Sequence, residues 1–204
     1  MRVSFRVSLL VLSAAIVFSA TTHGARAQQA PPAVQTEPRA ELAADYSYLH
    51  SNAPPGGCGC FNLNGGSVTF AWYLEPSLAL VGDFGIAHAG SITPAGYDLT
   101  LSTYTAGLRY RTRLGHSSLH PYGQVLVGLA HSSGALVQGE SPTVSNAGAA
   151  FAAKVGGGLD LKVSRRFALR LVEADYLATT FDNGANNHQN NLRLSAGVVL
   201  HLRK

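Results

Sequence analysis

Residues 191–202, NLRLSAGVVLHL, carry the pattern that decides the fold. Leu192, Leu194, Ala196, Val198, Leu200 and Leu202 recur at a spacing of two, with Asn191, Arg193, Ser195, Gly197 and His201 between them. Successive side chains point to opposite faces only in a β-strand; a helix would spread both sets around its circumference. The stretch is therefore a strand with one apolar and one polar face. Residues 151–163 repeat the pattern, with Phe151, Ala153, Val155, Leu159, Leu161 and Val163 set against Lys154, Gly156, Gly158, Asp160 and Lys162.

Working outward, eight such segments occur, at about 39–50, 66–74, 78–88, 97–112, 119–131, 148–163, 167–180 and 189–203. Several reach the roughly 9–11 residues that a tilted strand needs to cross a bilayer. The connections alternate in length: 51–65, 89–96, 132–147 and 181–188 are long or medium, while 75–77, 113–118 and 164–166 are short. A meander through a membrane gives long loops on one side and tight turns on the other. An even strand number lets the first strand pair with the last, so no edge remains.

Composition agrees with a membrane surface. The 204 residues are 46% hydrophobic and only 13% charged, about half the charge of an average soluble domain. That argues against intrinsic disorder and against an ordinary cytosolic enzyme. The net charge of +4 points away from nucleic acid once its source is seen. Residues 1–27 read as a secretory signal peptide, with Arg2 and Arg6, an apolar run from Val7 to Ala20, and Ala25-Arg26-Ala27 before the cut. Removing Arg2, Arg6 and Arg26 leaves 12 bases against 11 acids, a net of +1. Residues 28–38 hold three of the nine prolines and read as an extended periplasmic lead-in, and 39–204 as the barrel.

The low charge content sets the orientation, with apolar faces outward and polar faces inward. The polar faces collect Asp45, Asp83, Arg109, Arg111, Lys154, Asp160, Arg170, Glu173, Asp175 and Arg193, five acids and five bases. An eight-stranded barrel is just wide enough for side chains to fill it, so these charges are expected to pair across a closed lumen. Arg170 differs in parity from Glu173 and Asp175, which predicts a β-bulge near Leu171-Val172. Ten aromatics, Tyr46, Tyr48, Phe70, Trp72, Phe84, Tyr104, Tyr110, Phe151, Phe167 and Tyr176, fall on the apolar faces, as interfacial girdles do.

These features resemble the OmpA/OmpX-type eight-stranded outer-membrane β-barrels, over about residues 39–204. Ser195-x-Gly197-x-x-Leu200-x-Leu202 is similar to the C-terminal strand that such barrels present to the outer-membrane assembly machinery, with Leu in place of both aromatics and Arg203-Lys204 beyond. Residues 40–49 (AELAADYSYL) and 170–177 (RLVEADYL) are similar to first and seventh strands of the class. The resemblance implies an all-β, antiparallel, up-and-down transmembrane barrel in the outer membrane. Its implied partners are outer-membrane lipid and lipopolysaccharide, the assembly machinery during biogenesis, and an unidentified surface partner. It implies a monomer that binds no nucleic acid.

Motifs that carry chemistry are sparse, and no catalytic, cofactor or metal site is expected. Cys58 and Cys60 in the first long loop read as a disulfide, as free thiols, or as part of a metal or redox site with His50 nearby. Some barrels of this class modify lipid A and use a His-x-Ser pair. His131-Ser132-Ser133 and His116-Ser117-Ser118 match those three letters, with Glu140 as an acid. Gly156-Gly157-Gly158 lies mid-strand, where glycine relieves crowding and no helix follows to cradle phosphate. Asn183, Asn186, Asn187, Asn190 and Asn191 surround the last loop, as surface-loop residues or a glycan or calcium site. The leading expectation is a non-enzymatic envelope or adhesion role through the loops at 51–65 and 132–147. A narrow pore is the alternative; a lipid A-modifying barrel and an exported soluble lipid-binding barrel are minor ones.

Overall fold

The computed structural model describes residues 39–51, 60–91, 98–115, 117–134, 148–181 and 188–202. Eight strands follow one another: β1 (Ala40–Ser51), β2 (Phe61–Tyr73), β3 (Leu78–Ala89), β4 (Leu99–Arg111), β5 (Leu119–Gly134), β6 (Gly148–Lys162), β7 (Phe167–Thr179) and β8 (Gln189–Leu202). Each pairs antiparallel with the next. β8 returns to β1 with Leu202 opposite Ala40 and Asn191 opposite Ser51, which closes the barrel. The signal peptide and lead-in expected at 1–38 lie outside the described residues.

The short turns are held by local hydrogen bonds. Ser164 Oγ accepts from the backbone N–H of Arg166 at 3.2 Å and of Phe167 at 3.0 Å, which tightens the β6–β7 turn. Ser117 Oγ accepts from the Leu119 N–H at 3.1 Å in the β4–β5 turn. In the same turn Gly115 takes φ +56°, a left-handed conformation that glycine adopts without a Cβ penalty.

Two expected strand ends move. β2 begins at Phe61 rather than 66, so Phe61 to Gly65 belong to the sheet and not to the first loop. Asn62 and Asn64 point outward and pair with the outward His50 and Tyr46, at 2.7 Å in each case, while Leu63 turns inward and is fully buried. Asparagine and glycine suggested a loop there; cross-strand pairing on β1 overrides that local preference. β5 likewise continues through His131, Ser132 and Ser133 to Gly134.

In β7 the ladder skips one step. Arg170 stands opposite Asp160 and Gly197, Glu173 opposite Gly158 and Ser195, and both Leu171 and Val172 face outward between them. The extra residue is a β-bulge that restores parity, so Arg170, Glu173 and Asp175 all point into the barrel.

Candidate functional site

The outer wall settles how the barrel sits. Leu42, Val68, Phe70, Trp72, Leu80, Phe84, Tyr104, Val127, Phe151, Leu169, Tyr176 and Leu194 are among the large apolar side chains exposed on it. No Asp, Glu, Lys or Arg among the described residues lies on the outer face of a strand. A soluble barrel buries its apolar faces, and an exposed apolar patch on a soluble monomer rarely exceeds a few hundred Å². All ten aromatics assigned to the apolar faces stand on this wall, Tyr48 half-buried and the rest exposed. Toward the long-loop end the wall turns polar, with Tyr46–Asn64 (2.7 Å), His50–Asn62 (2.7 Å), His88–Thr100 (3.0 Å) and Tyr176–Asn190 (2.5 Å) pairs.

The interior is stratified. At the short-turn end Arg111 Nη1 donates to Glu41 Oε1 at 2.5 Å, Tyr73 Oη donates to Glu41 Oε2 at 2.8 Å, and His201 Nε2 lies 3.4 Å from the same carboxylate. The Arg111 guanidinium also covers the Tyr73 ring at 4.2 Å.

The middle layer is centred on Glu173, which is wholly buried. It accepts from Arg193 Nη2 at 2.7 Å and Tyr122 Oη at 2.5 Å, and pairs with Arg170 at 3.2 Å and Arg109 at 3.6 Å. Arg170 also donates to Asp45 at 2.8 Å and Asp160 at 3.1 Å. Arg193 reaches Asp175 at 2.9 Å and Asp83 at 3.3 Å, and Lys154 Nζ lies 2.6 Å from Asp83. Gln124 bridges the network, accepting from Arg109 at 2.7 Å and donating to Asp175 at 3.1 Å.

The layer beneath the long loops is apolar: Leu49, Leu63, Ala87, Leu99, Leu101, Ala152, Leu177 and Phe181 pack together there. Between it and the ionic layer lies a cavity of about 20 Å³, lined by Ser47, Leu49, Thr103, Leu177 and Arg193 among others. That is room for about one water.

All ten charged residues read from the sequence as lumen residues are buried in this interior. Nine of them meet in the middle layer, while Arg111 belongs to the short-turn cluster. The sequence reading omitted Glu41, Tyr73, Tyr122 and Gln124, and it placed His201 on the polar face of the last strand without a partner. Glu41 makes six carboxylates against five bases, and the His201 ring stands 3.4 Å from it. Its inward parity with Asp45, four residues on, was the available signal for Glu41.

Among solved structures, Neisserial surface protein A is similar at 16% identity and a TM-score of 0.58, over 80% of this chain and 97% of that one. Ail, the attachment invasion locus protein of Yersinia pestis, is similar at 18% identity and a TM-score of 0.52, over 80% and 99%. A second Ail structure, with the heparin analogue sucrose octasulfate, gives 17% identity and a TM-score of 0.50, over 79% and 99%. The fold is the OmpA/OmpX-type eight-stranded outer-membrane β-barrel. No protein-family model and no curated protein matches the sequence.

On this barrel the remaining sequence candidates fall as follows. Ser195 and Gly197 face inward and Leu200 and Leu202 outward on β8, the strand that closes on β1. A Cβ on Gly197 would stand 2.6 Å from the Asp45 Cα, so glycine permits the close approach of β8 to β1 there. His131 and Ser133 are exposed on the outer face of β5, while Ser132 is buried; His116 and Glu140 lie outside the described residues. Cys60 is exposed just before β2, and Cys58 lies outside the described residues. Of the asparagines, Asn190 is exposed, Asn191 is buried, accepting from Ser51 Oγ at 2.6 Å, and 183, 186 and 187 lie outside the described residues.

Proposed function

We propose that the chain is an integral outer-membrane protein, exported by residues 1–27, which does not conduct and which acts through contacts made at its long-loop end. The observation that carries this reading is the filled interior, in which buried charges pair across the barrel beneath a packed apolar layer. A transport role needs a path; a packed interior serves instead to hold the long-loop rim of the barrel in a fixed frame. The polar-x-Gly pattern on β8 is the feature by which the assembly machinery would receive it. The reading is non-enzymatic: His131 and Ser133 stand on the outer wall two residues apart with no acid among the described residues there.

The loop chemistry narrows the partner. Segments 52–59, 92–97, 135–147 and 182–187 contain no Lys or Arg and are rich in Gly, Pro, Ala, Ser and Asn. The Ail structure with a heparin analogue shows that a barrel of this fold takes a sulfated polyanion. Without loop cations this chain suits an uncharged or weakly basic surface instead.

Two measurements test the reading. In planar bilayers the purified chain is expected to give no stepwise current, and a steady unitary conductance that a bulky substitution at Ala130 abolishes would establish the pore reading instead. Cells expressing the chain are expected to adhere to matrix-coated surfaces more than cells carrying a version with 135–147 replaced by a Gly-Ser segment of equal length. Equal adhesion at equal outer-membrane levels would remove the surface-contact role.

A further inference from the structure

The two rims of the barrel differ in charge. At the short-turn end Arg39, Arg113, Arg165 and Arg166 are exposed and Lys162 is half-buried, against one exposed carboxylate, Glu75, among the described residues. At the long-loop end the described rim carries Asp98, and the connecting segments add Glu140 and Asp182 but no cation other than histidine.

The basic residues form an arc held by the backbone. The Lys162 N–H donates to Ser118 O at 2.8 Å, which joins the β6–β7 turn to the β4–β5 turn that carries Arg113. The His201 N–H donates to Arg166 O at 2.8 Å, and the Tyr73 N–H donates to Arg39 O at 2.8 Å, which carries the arc past β8 to β1 and β2. Arg39, Lys162, Arg165 and Arg166 make no ion pair among the described residues. Their neighbours are apolar and exposed: Leu114 follows Arg113, Val163 follows Lys162, and Phe167 follows Arg166. An apolar side chain beside a cation is the chemistry of the level where acyl chains end and headgroups begin.

We propose that this arc binds the phosphates of anionic phospholipids in the leaflet facing the short turns, so that phosphate recognition by the barrel is one-sided. The proposal rests on the transmembrane placement above. Each cation near an anionic membrane surface strengthens attraction by about fivefold. The long-loop rim has no Lys or Arg with which to hold phosphates of the opposite leaflet.

The test uses the chain folded into nanodiscs of equal parts phosphatidylglycerol and phosphatidylcholine, with retained lipids identified by native mass spectrometry. Phosphatidylglycerol is expected to be retained in preference, and the preference to fall by about fivefold for each cation removed in K162Q/R165Q/R166Q. Asp98→Asn, on the other rim, is expected to leave it unchanged. Should the triple variant not fold, R39Q/R113Q provides the same comparison. Equal retention of the two lipids, a preference the variants do not alter, or stronger retention of added lipid A than of phosphatidylglycerol would overturn the proposal. A wild-type chain showing no boiling-dependent gel shift from these nanodiscs would overturn the transmembrane reading as well, and so separates the two failures.

Discussion

Arg170 and Asp45 lie 125 positions apart in the chain, yet Nη1 of the arginine donates to Oδ2 of the aspartate at 2.8 Å, which ties β7 to β1 across the lumen. The same guanidinium serves Asp160 and Glu173. Its removal strands Asp45 and Asp160, which pair with no other cation among the described residues, while Glu173 keeps Arg193 and Arg109; an uncompensated interior charge is strongly destabilising.

Arg170→Ala is therefore expected to lower stability by about 3–5 kcal/mol, read as the urea midpoint of the barrel folded in vesicles. Adding Asp45→Asn is expected to restore part of the loss, since coupled partners depart from additivity by roughly 0.5–3 kcal/mol. Strictly additive effects would show that the contact is not energetically coupled.

The outer wall makes a separate demand. Val127 is exposed midway along β5, and Val127→Arg is expected to cost about 2–4 kcal/mol in a bilayer, the depth-dependent penalty for arginine near the midplane. A soluble barrel would tolerate the same change within roughly 0.5 kcal/mol. Urea unfolding of the two proteins in vesicles gives the difference.

Gly158 faces Tyr122 inside the barrel, where a Cβ would meet the ring Cζ at 2.7 Å and Val172 O at 2.7 Å. Gly158→Val is expected to push Tyr122 from its 2.5 Å bond to Glu173 and to destabilise by about 1–3 kcal/mol. Adding Tyr122→Ala should recover space but not the hydrogen bond. A fully stable Gly158→Val barrel would contradict the packing described.

Leu63 is fully buried in the apolar layer beneath the long loops. Leu63→Ala is expected to lose about 2–5 kcal/mol by leaving a cavity, whereas Leu63→Met should lose less than about 1.5 kcal/mol. Similar losses for the two would mean that the site relaxes and the layer is not tightly packed.

Alternation made most of this barrel legible. Period two in β6 and β8 assigns each residue to a face, and the parity conflict at Arg170 locates the bulge from the sequence alone. What stayed hidden depended on neighbours in space. Asn62, Asn64 and Gly65 have loop preferences that His50, Tyr46 and the β1 ladder override. Tyr73 and Tyr122 share the inward parity of Ala71 and Gln124, but only the fold brings their hydroxyls to Glu41 and Glu173 and their rings beneath arginines. The apolar layer is read poorly because its members, such as Ala87, Leu101 and Leu177, sit on faces that are otherwise polar, and period two alone does not distinguish a lumen lined with charge from one capped with leucine.

A transmembrane barrel of this kind turns its apolar faces to lipid and its charges inward. Fractionating cells that express the chain, then running the membrane extract boiled and unboiled on a denaturing gel, tests it most directly. An outer-membrane band whose mobility changes on boiling is expected. A periplasmic, soluble band with no shift would contradict it and turn every strand inside out.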